Sequence, residues 1–281
     1  DGPEGIRFGR VRLDGRDGEA VPEAPLPVAT LTYSLREERE ATSWVHQEVG
    51  TGKSVPLLEA YGVVRSLSLA MHAGQTMVLP LLQLKDFDQY TTTHSMNVSV
   101  LSMALGESLG LAPPAVRGFG MAGLLHDLGK LAVPAEILDK PTTLSDSEWQ
   151  AIGEHPRIGQ VILEQASSLR EAIPVVLHHH ERFNGGGYPH GLKGNEIPLG
   201  ARIVAVADAY HAMVHERPYS EAKTHEQALD ELEANAGSQF DPEVVRVFCS
   251  IYANEVPPDG LDEVYRRLDT RIEEERHGSA A

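Results

Sequence analysis

Cysteine is nearly missing from this chain: Cys249, in an apolar stretch, is the only one in 281 residues. A lone thiol cannot build a disulfide framework and leaves zinc–thiolate chemistry without ligands, so a reducing, cytoplasmic setting is expected. Long apolar runs are missing too, and nothing approaches the roughly 18–20 residues that span a membrane as a helix. Basic residues are outnumbered, with 24 Lys and Arg against 41 Asp and Glu and a formal net charge of −17. That balance excludes the broad basic surface a long nucleic acid needs, although a metal centre could still draw in a small anion locally. There is no internal repeat and no long low-complexity tract. Nothing signal-like follows Asp1, and the chain reads as trimmed there, which would hide any upstream targeting segment.

What is present suffices for a core: 41% of the residues are hydrophobic, in a length that suits one large domain or two ordinary ones. Residues 1–56 read as a small N-terminal α/β appendage, rich in Gly, Pro and charge, with candidate strands at Ile6–Leu13 and Val28–Leu35 and a helix through Arg36–Glu48. Residues 57–85 read as a connecting helix, because Leu58, Tyr61, Val64, Leu67 and Met71 recur at three or four. Residues 86–255 continue in that period as a helical domain, and 256–281 form a C-terminal helix and tail around the charged segment Leu261–Glu275. The expected fold is mostly α.

Within the helical domain, Thr92–Leu109 predicts a helix whose inward stripe carries His94, Val98, Leu101 and Leu105. A second helix, Pro114–Leu128, stops at Gly129, and its Gly120 and Gly123 leave room for a neighbouring helix or an ion. Ser145 and Glu148 form a capping-box pattern opening a helix toward His155, which Pro156 sets at a break. Ile173–Glu181 reads as a helix ending in His178, His179 and His180, followed by a loop through Asn184–Pro189. Pro198–Val214 reads as a buried helix carrying Asp208.

The chemistry gathers around adjacent His126 and Asp127. His94, His126, His155, the run His178–His180, Asp127 and Asp208 exceed what one ion can use, and mixed imidazole and carboxylate donors suit first-row metals better than calcium or magnesium. Two ions sharing a carboxylate, about 3.5–4 Å apart, would accommodate the count and would suit phosphoester hydrolysis by an in-line hydroxide. His178 points away from its neighbours on a helix and is read as structural. His211, one helical turn beyond Asp208, is read as a hydrogen-bonding support for a ligand. The remaining histidines, including His46 and His190, carry no pattern.

From about Asp86 to Phe248 the chain resembles the HD-GYP domain family, within the HD superfamily of metal-dependent phosphohydrolases. The resemblance rests on His94-Ser95, His126-Asp127-Leu128-Gly129-Lys130, Val133-Pro134, Lys140-Pro141, His155-Pro156, His179-His180-Glu181, Gly187-Tyr188-Pro189, Val206-Ala207-Asp208 and Arg217-Pro218-Tyr219. It implies an HD-superfamily helical bundle that binds two divalent metal ions, iron or manganese. His94, His126, Asp127 and Asp208 would hold one ion and His155, His179 and His180 the other, with Asp127 as bridge. Lys130 would lie beside the scissile phosphate, Arg217 would contact a phosphate and Tyr188 would border the pocket.

The implied activity is cyclic di-GMP phosphodiesterase, giving pGpG, with the end product, pGpG or GMP, left open. The resemblance leaves open a homodimer, a diguanylate-cyclase-type signalling partner and a regulatory role for the appendage. The sequence departs from the family pattern at Tyr90, where a glutamate would support a third metal, and at Asn184, His211 and Ser220, where aspartate, aspartate and a basic residue are usual. Two alternatives therefore stay open beside the first reading: hydrolysis of another cyclic dinucleotide, and a cyclic-dinucleotide receptor or interaction module with little turnover.

Overall fold

The structure, a computed structural model, describes residues 36–73, 90–138, 140, 142–215 and 222–255. The expected strands at Ile6–Leu13 and Val28–Leu35, Arg217, Ser220 and the tail helix Leu261–Glu275 lie outside these residues, as does the side chain of Tyr90. The described residues are helical, with an isolated bridge between Ala236 and Phe240 and no strand among them. None of their helices is long and apolar enough to cross a membrane.

The helices are α1 (Arg36–Gly50), α2 (Leu57–Ala73), α3 (Tyr90–Ser108), α4 (Pro113–Leu125), the short α5 (Ala135–Leu138), α6 (Asp146–Gly153), α7 (His155–Glu164), α8 (Ile173–His178), α9 (Leu199–Val214), α10 (His225–Ala234) and α11 (Pro242–Glu255). A 3₁₀ turn over Leu128–Ala132 follows α4. Helix α1, placed by the sequence within the first 56 residues, packs on α2, α3 and this 3₁₀ turn.

The centre of the bundle is α3. It was expected to show one apolar stripe, yet every residue from Thr92 to Gly106 is buried, because α1, α2, α4, α9 and α11 surround it. Its Met96, Met103 and Leu105 are fully enclosed, each contributing about 1.5–3 kcal/mol relative to exposure. The polar positions Ser95, Ser99 and Ser102 are buried as well. Small residues there let helices approach: a Cβ added to Gly123 of α4 would stand 3.0 Å from the Ser99 backbone, and one added to Gly120 would stand 2.6 Å from Met103 Sδ. Those two glycines thus serve helix packing and not ion access.

The expected helix through Leu128 ends early, at Leu125. His126 keeps helical angles, but Asp127 (φ −98°, ψ 4°) sits in the bridge region and turns the chain into the 3₁₀ segment. Gly129 then docks on the start of α7 so closely that a Cβ would lie 1.9 Å from the His155 carbonyl oxygen. The Ser145–Glu148 capping box forms as expected and starts α6, and the break between α6 and α7 falls at Glu154–His155. These junctions bring the His-Asp turn and His155 to one place.

The glycine contact yields a prediction. Gly129→Ala should cost at least about 3 kcal/mol, since backbone must move. Gly153→Ala, with nothing within 4 Å of the added carbon, should be neutral or stabilising by about 0.5–1 kcal/mol. Urea unfolding of the two variants checks the contrast.

Candidate metal centre

The residues singled out from the sequence come from distant helices. His94 lies on α3, His126 and Asp127 at the end of α4, His155 at the start of α7, His179 and His180 just beyond α8, and Asp208 on α9. Their donor atoms form two groups, His94–His126–Asp208 and Asp127–His155–His179–His180, each with all donors within 4.8 Å of one another.

Asp127 stands between the groups. Its Oδ2 lies 3.4 Å from His126 Nε2 and 3.9 Å from His94 Nε2. Its Oδ1 lies 3.4 Å from His155 Nε2 and 4.0 Å from His179 Nε2. Asp208 Oδ1 faces His94 Nε2 at 3.2 Å.

Three imidazoles are oriented by the same local device. His126 donates Nδ1–H to the Gly123 carbonyl (2.8 Å), His155 to Ile152 (2.7 Å) and His179 to Val176 (2.7 Å). Each acceptor sits in the last turn of a helix, where carbonyls run out of intrahelical donors. With Nδ1 protonated, Nε2 of a neutral ring is a bare lone pair.

His155 and His179 then face each other Nε2 to Nε2 at 3.3 Å, and Asp127 Oδ1 beside them is buried with no hydrogen-bond partner. Lone pairs so arranged repel unless a cation lies among them. Imidazole and carboxylate donors in this number fit first-row divalent ions, two of them by the grouping.

Protonation states agree with ligation. Burial lowers the pKa of His94, His179 and His180 and pushes His155 down to about 4. His126 differs: burial acts downward most strongly, but the charge and hydrogen bond of Asp127 together with the charge of Asp208 raise the value. Burial acts upward on Asp127 and Asp208, yet His126 and Lys130 hold the first well below the carboxylate range and His94 holds the second there. The carboxylates are ionised and, His126 apart, the rings are held toward the neutral form, which is the donor state metals require.

Around this cluster, Lys130 Nζ touches Asp127 Oδ2 at 2.6 Å. Tyr188 stacks on His180, with ring centroids 5.0 Å apart, and burial pushes its phenol up to about 12, so it stays neutral. The loop that carries it folds against the chain it follows: a Cβ on Gly187 would stand 2.2 Å from Arg182 N. Arg217 lies outside the described residues. His178 joins neither group and contacts His190 instead.

Two departures from the family pattern find a physical role here. Asn184 Oδ1 accepts the Gly186 N–H at 2.9 Å, a turn bond that either Asp or Asn supplies. His211, buried, meets His94 Nδ1 with its own Nδ1 at 2.9 Å and reaches the Asn97 side chain with Nε2 at 2.7 Å. For His94 to offer a bare Nε2, its Nδ1–H must donate to His211, whose Nε2–H must then donate to Asn97. Asn97 Oδ1 is the acceptor this chain needs, and it is the buried atom left without a partner when the amide nitrogen faces His211.

His46 on α1 was missed from the sequence. It is part-buried, and burial pushes its pKa down to about 4, with the Asp127 charge opposing and that of His126 reinforcing the shift. No motif marks it; only the packing of α1 against the His-Asp turn brings it into the field of the centre.

Fold and site together define an all-α domain built around paired His/Asp groups of the metal-ligand kind. A family model described as HD domain matches residues 76–244, and the chain belongs to the HD domain family. A cyclic di-GMP phosphodiesterase of Pseudomonas aeruginosa is 40% identical over 200 residues, 70% of this chain and 48% of that one. A cyclic di-GMP phosphodiesterase of Thermotoga maritima is 39% identical over 182 residues, 64% of this chain and 48% of that one. A 3′3′-cGAMP-specific phosphodiesterase of Vibrio cholerae is 38% identical over 154 residues, 55% of this chain and 34% of that one. The chain thus spans about half the length of the first two. Among solved structures, Bd1817, a HDG"Y"P protein from Bdellovibrio bacteriovorus, shares the fold with a TM-score of 0.61 at 18% identity, covering 77% of this chain and 69% of that one.

The His94–His211–Asn97 chain predicts that His211→Ala weakens retention of one metal by about 10–100-fold against a chelator. His211→Asp, which restores an acceptor for the His94 Nδ1–H, should recover it. Metal content after timed dialysis reads both outcomes.

Proposed function

We propose that this chain is a metal-dependent cyclic di-GMP phosphodiesterase. It opens the dinucleotide to linear pGpG, with GMP as the product of a second hydrolysis. The observation that carries the reading is Asp127, whose two oxygens face two separate sets of bare imidazole nitrogens. The names of the P. aeruginosa and T. maritima relatives support the substrate class.

His94, His126, Asp127 and Asp208 would hold one divalent ion, and Asp127, His155, His179 and His180 the other; the donors suit first-row metals in general, and the family resemblance points to iron or manganese among them. When bound, such a pair supplies Lewis acidity toward a phosphodiester and makes water a competent nucleophile near neutral pH. The protein's own groups do the rest. Lys130 offsets negative charge beside Asp127, where a substrate phosphate would add to it. The neutral Tyr188, packed on His180, forms an apolar wall with one hydroxyl for orientation.

A second reading, hydrolysis of a mixed cyclic dinucleotide, is favoured by the Vibrio relative named for 3′3′-cGAMP. The receptor reading loses two of its supports, because Asn184 keeps the turn and His211 keeps His94 oriented.

The test combines elemental analysis of anaerobically purified protein with chromatography of products from cyclic di-GMP and 3′3′-cGAMP. About two metals per chain and pGpG as first product are expected. Asp127→Ala should lose both metals and all turnover, and Lys130→Met should lower kcat by about 10²–10³-fold with metals retained. Undiminished metal and turnover in Asp127→Ala would sink the bridge, and tight binding of an intact dinucleotide by metal-loaded protein would establish a receptor.

A further inference from the structure

We propose that His178, Glu181 and His190 form a separate surface site for a zinc-like divalent ion, which clasps the Tyr188 loop to the end of α8. The three donors belong to neither group of the centre described above and lie within 4.8 Å of one another. Ion binding here is independent of the proposed phosphodiesterase activity.

His178 closes α8, and its ring too is oriented by a backbone carbonyl, here one in the first turn of the helix. Its Nδ1 donates to the Pro174 carbonyl at 2.8 Å, which leaves Nε2 as a bare lone pair directed at His190 Nδ1, 3.0 Å away. Two ring nitrogens at that separation can share one ion at the usual Zn–N distance of about 2.0–2.1 Å.

Glu181, three residues on, is buried to 3% exposure. Its carboxylate is held by the loop itself, Oε1 accepting His190 N–H at 2.7 Å and Oε2 accepting Leu192 N–H at 3.1 Å. Each oxygen keeps a lone pair, so the aimed carboxylate can still ligate. Two histidines and one glutamate make a donor set that zinc uses with a fourth position open to water, and imidazole ligands disfavour magnesium and calcium.

His190 is exposed, which opens the site to ions from solution. The fragment it joins is short in sequence but consequential in place. On one side stand His179 and His180 of the main centre, and on the other Tyr188, stacked on His180. An ion here would hold pocket wall and ligand segment in register.

The competing account is a plain hydrogen bond from His190 Nδ1–H to His178 Nε2, with Glu181 as a loop anchor alone. To decide, the full chain is loaded with Mn(II), desalted and titrated with Zn(II), with both metals counted by elemental analysis and heat followed by calorimetry. The wild type should take up one more zinc than His190→Ala. The same difference of one equivalent should separate Asp127→Ala from the double variant Asp127→Ala/His190→Ala, so that failure of the main centre and failure of this site are read independently. His190→Asn serves as a second loop variant should the alanine disturb folding. Equal zinc uptake with and without His190 in both backgrounds would overturn the site and leave the hydrogen bond as its account.

Discussion

The architecture depends on one buried carboxylate. Asp127 is almost wholly removed from water, and burial alone would favour its neutral form, yet it is held ionised between two sets of imidazoles. Lys130 meets one of its oxygens, while the other is buried without a hydrogen-bond donor. A charge so placed is costly unless cations share it. The fold therefore makes physical sense as a cage that delivers lone pairs from four other helices to both faces of one aspartate.

Delivery relies on helix ends more than on helix faces. Carbonyls in the last turns of α4, α6 and α8 fix the tautomers of His126, His155 and His179 without recruiting any further side chain. His94 sits near the start of α3, far from the free carbonyls of a helix C-terminus, and so needs a side-chain acceptor; His211 backed by Asn97 supplies it. The close docking of Gly129 on the His155 carbonyl ties two of these junctions together, so packing and ligand geometry are the same constraint there.

Much of the site was legible because ligand residues carry their own spacing and chemistry: adjacent His-Asp, His before Pro at a helix break, the histidine run, and an aspartate in an apolar helix. The capping box of α6 and the buried helix bearing Asp208 were readable for the same local reasons. The early stop of α4 was not, since nothing in the sequence of Leu125 to Leu128 announces the bridge-region angles of Asp127. Nor was the environment of α3: a single inward stripe was expected, and only encirclement by five helices explains why Ser95, Ser99 and Ser102 are buried as well. His46 had no signal at all, because its nearness to the centre comes from α1 folding onto a segment some eighty residues later.

From the sequence alone came the helical class, the candidate donor residues and their chemical fitness for first-row metals, because these follow from residue type and short-range periodicity. Packing alone settled which oxygen of Asp127 faces which imidazoles, what Asn184 and His211 hydrogen-bond, and that His178 turns away from the centre to meet Glu181 and His190. Those are matters of direction and distance between segments far apart in the chain. Only packing, which brings helix ends together, sets them.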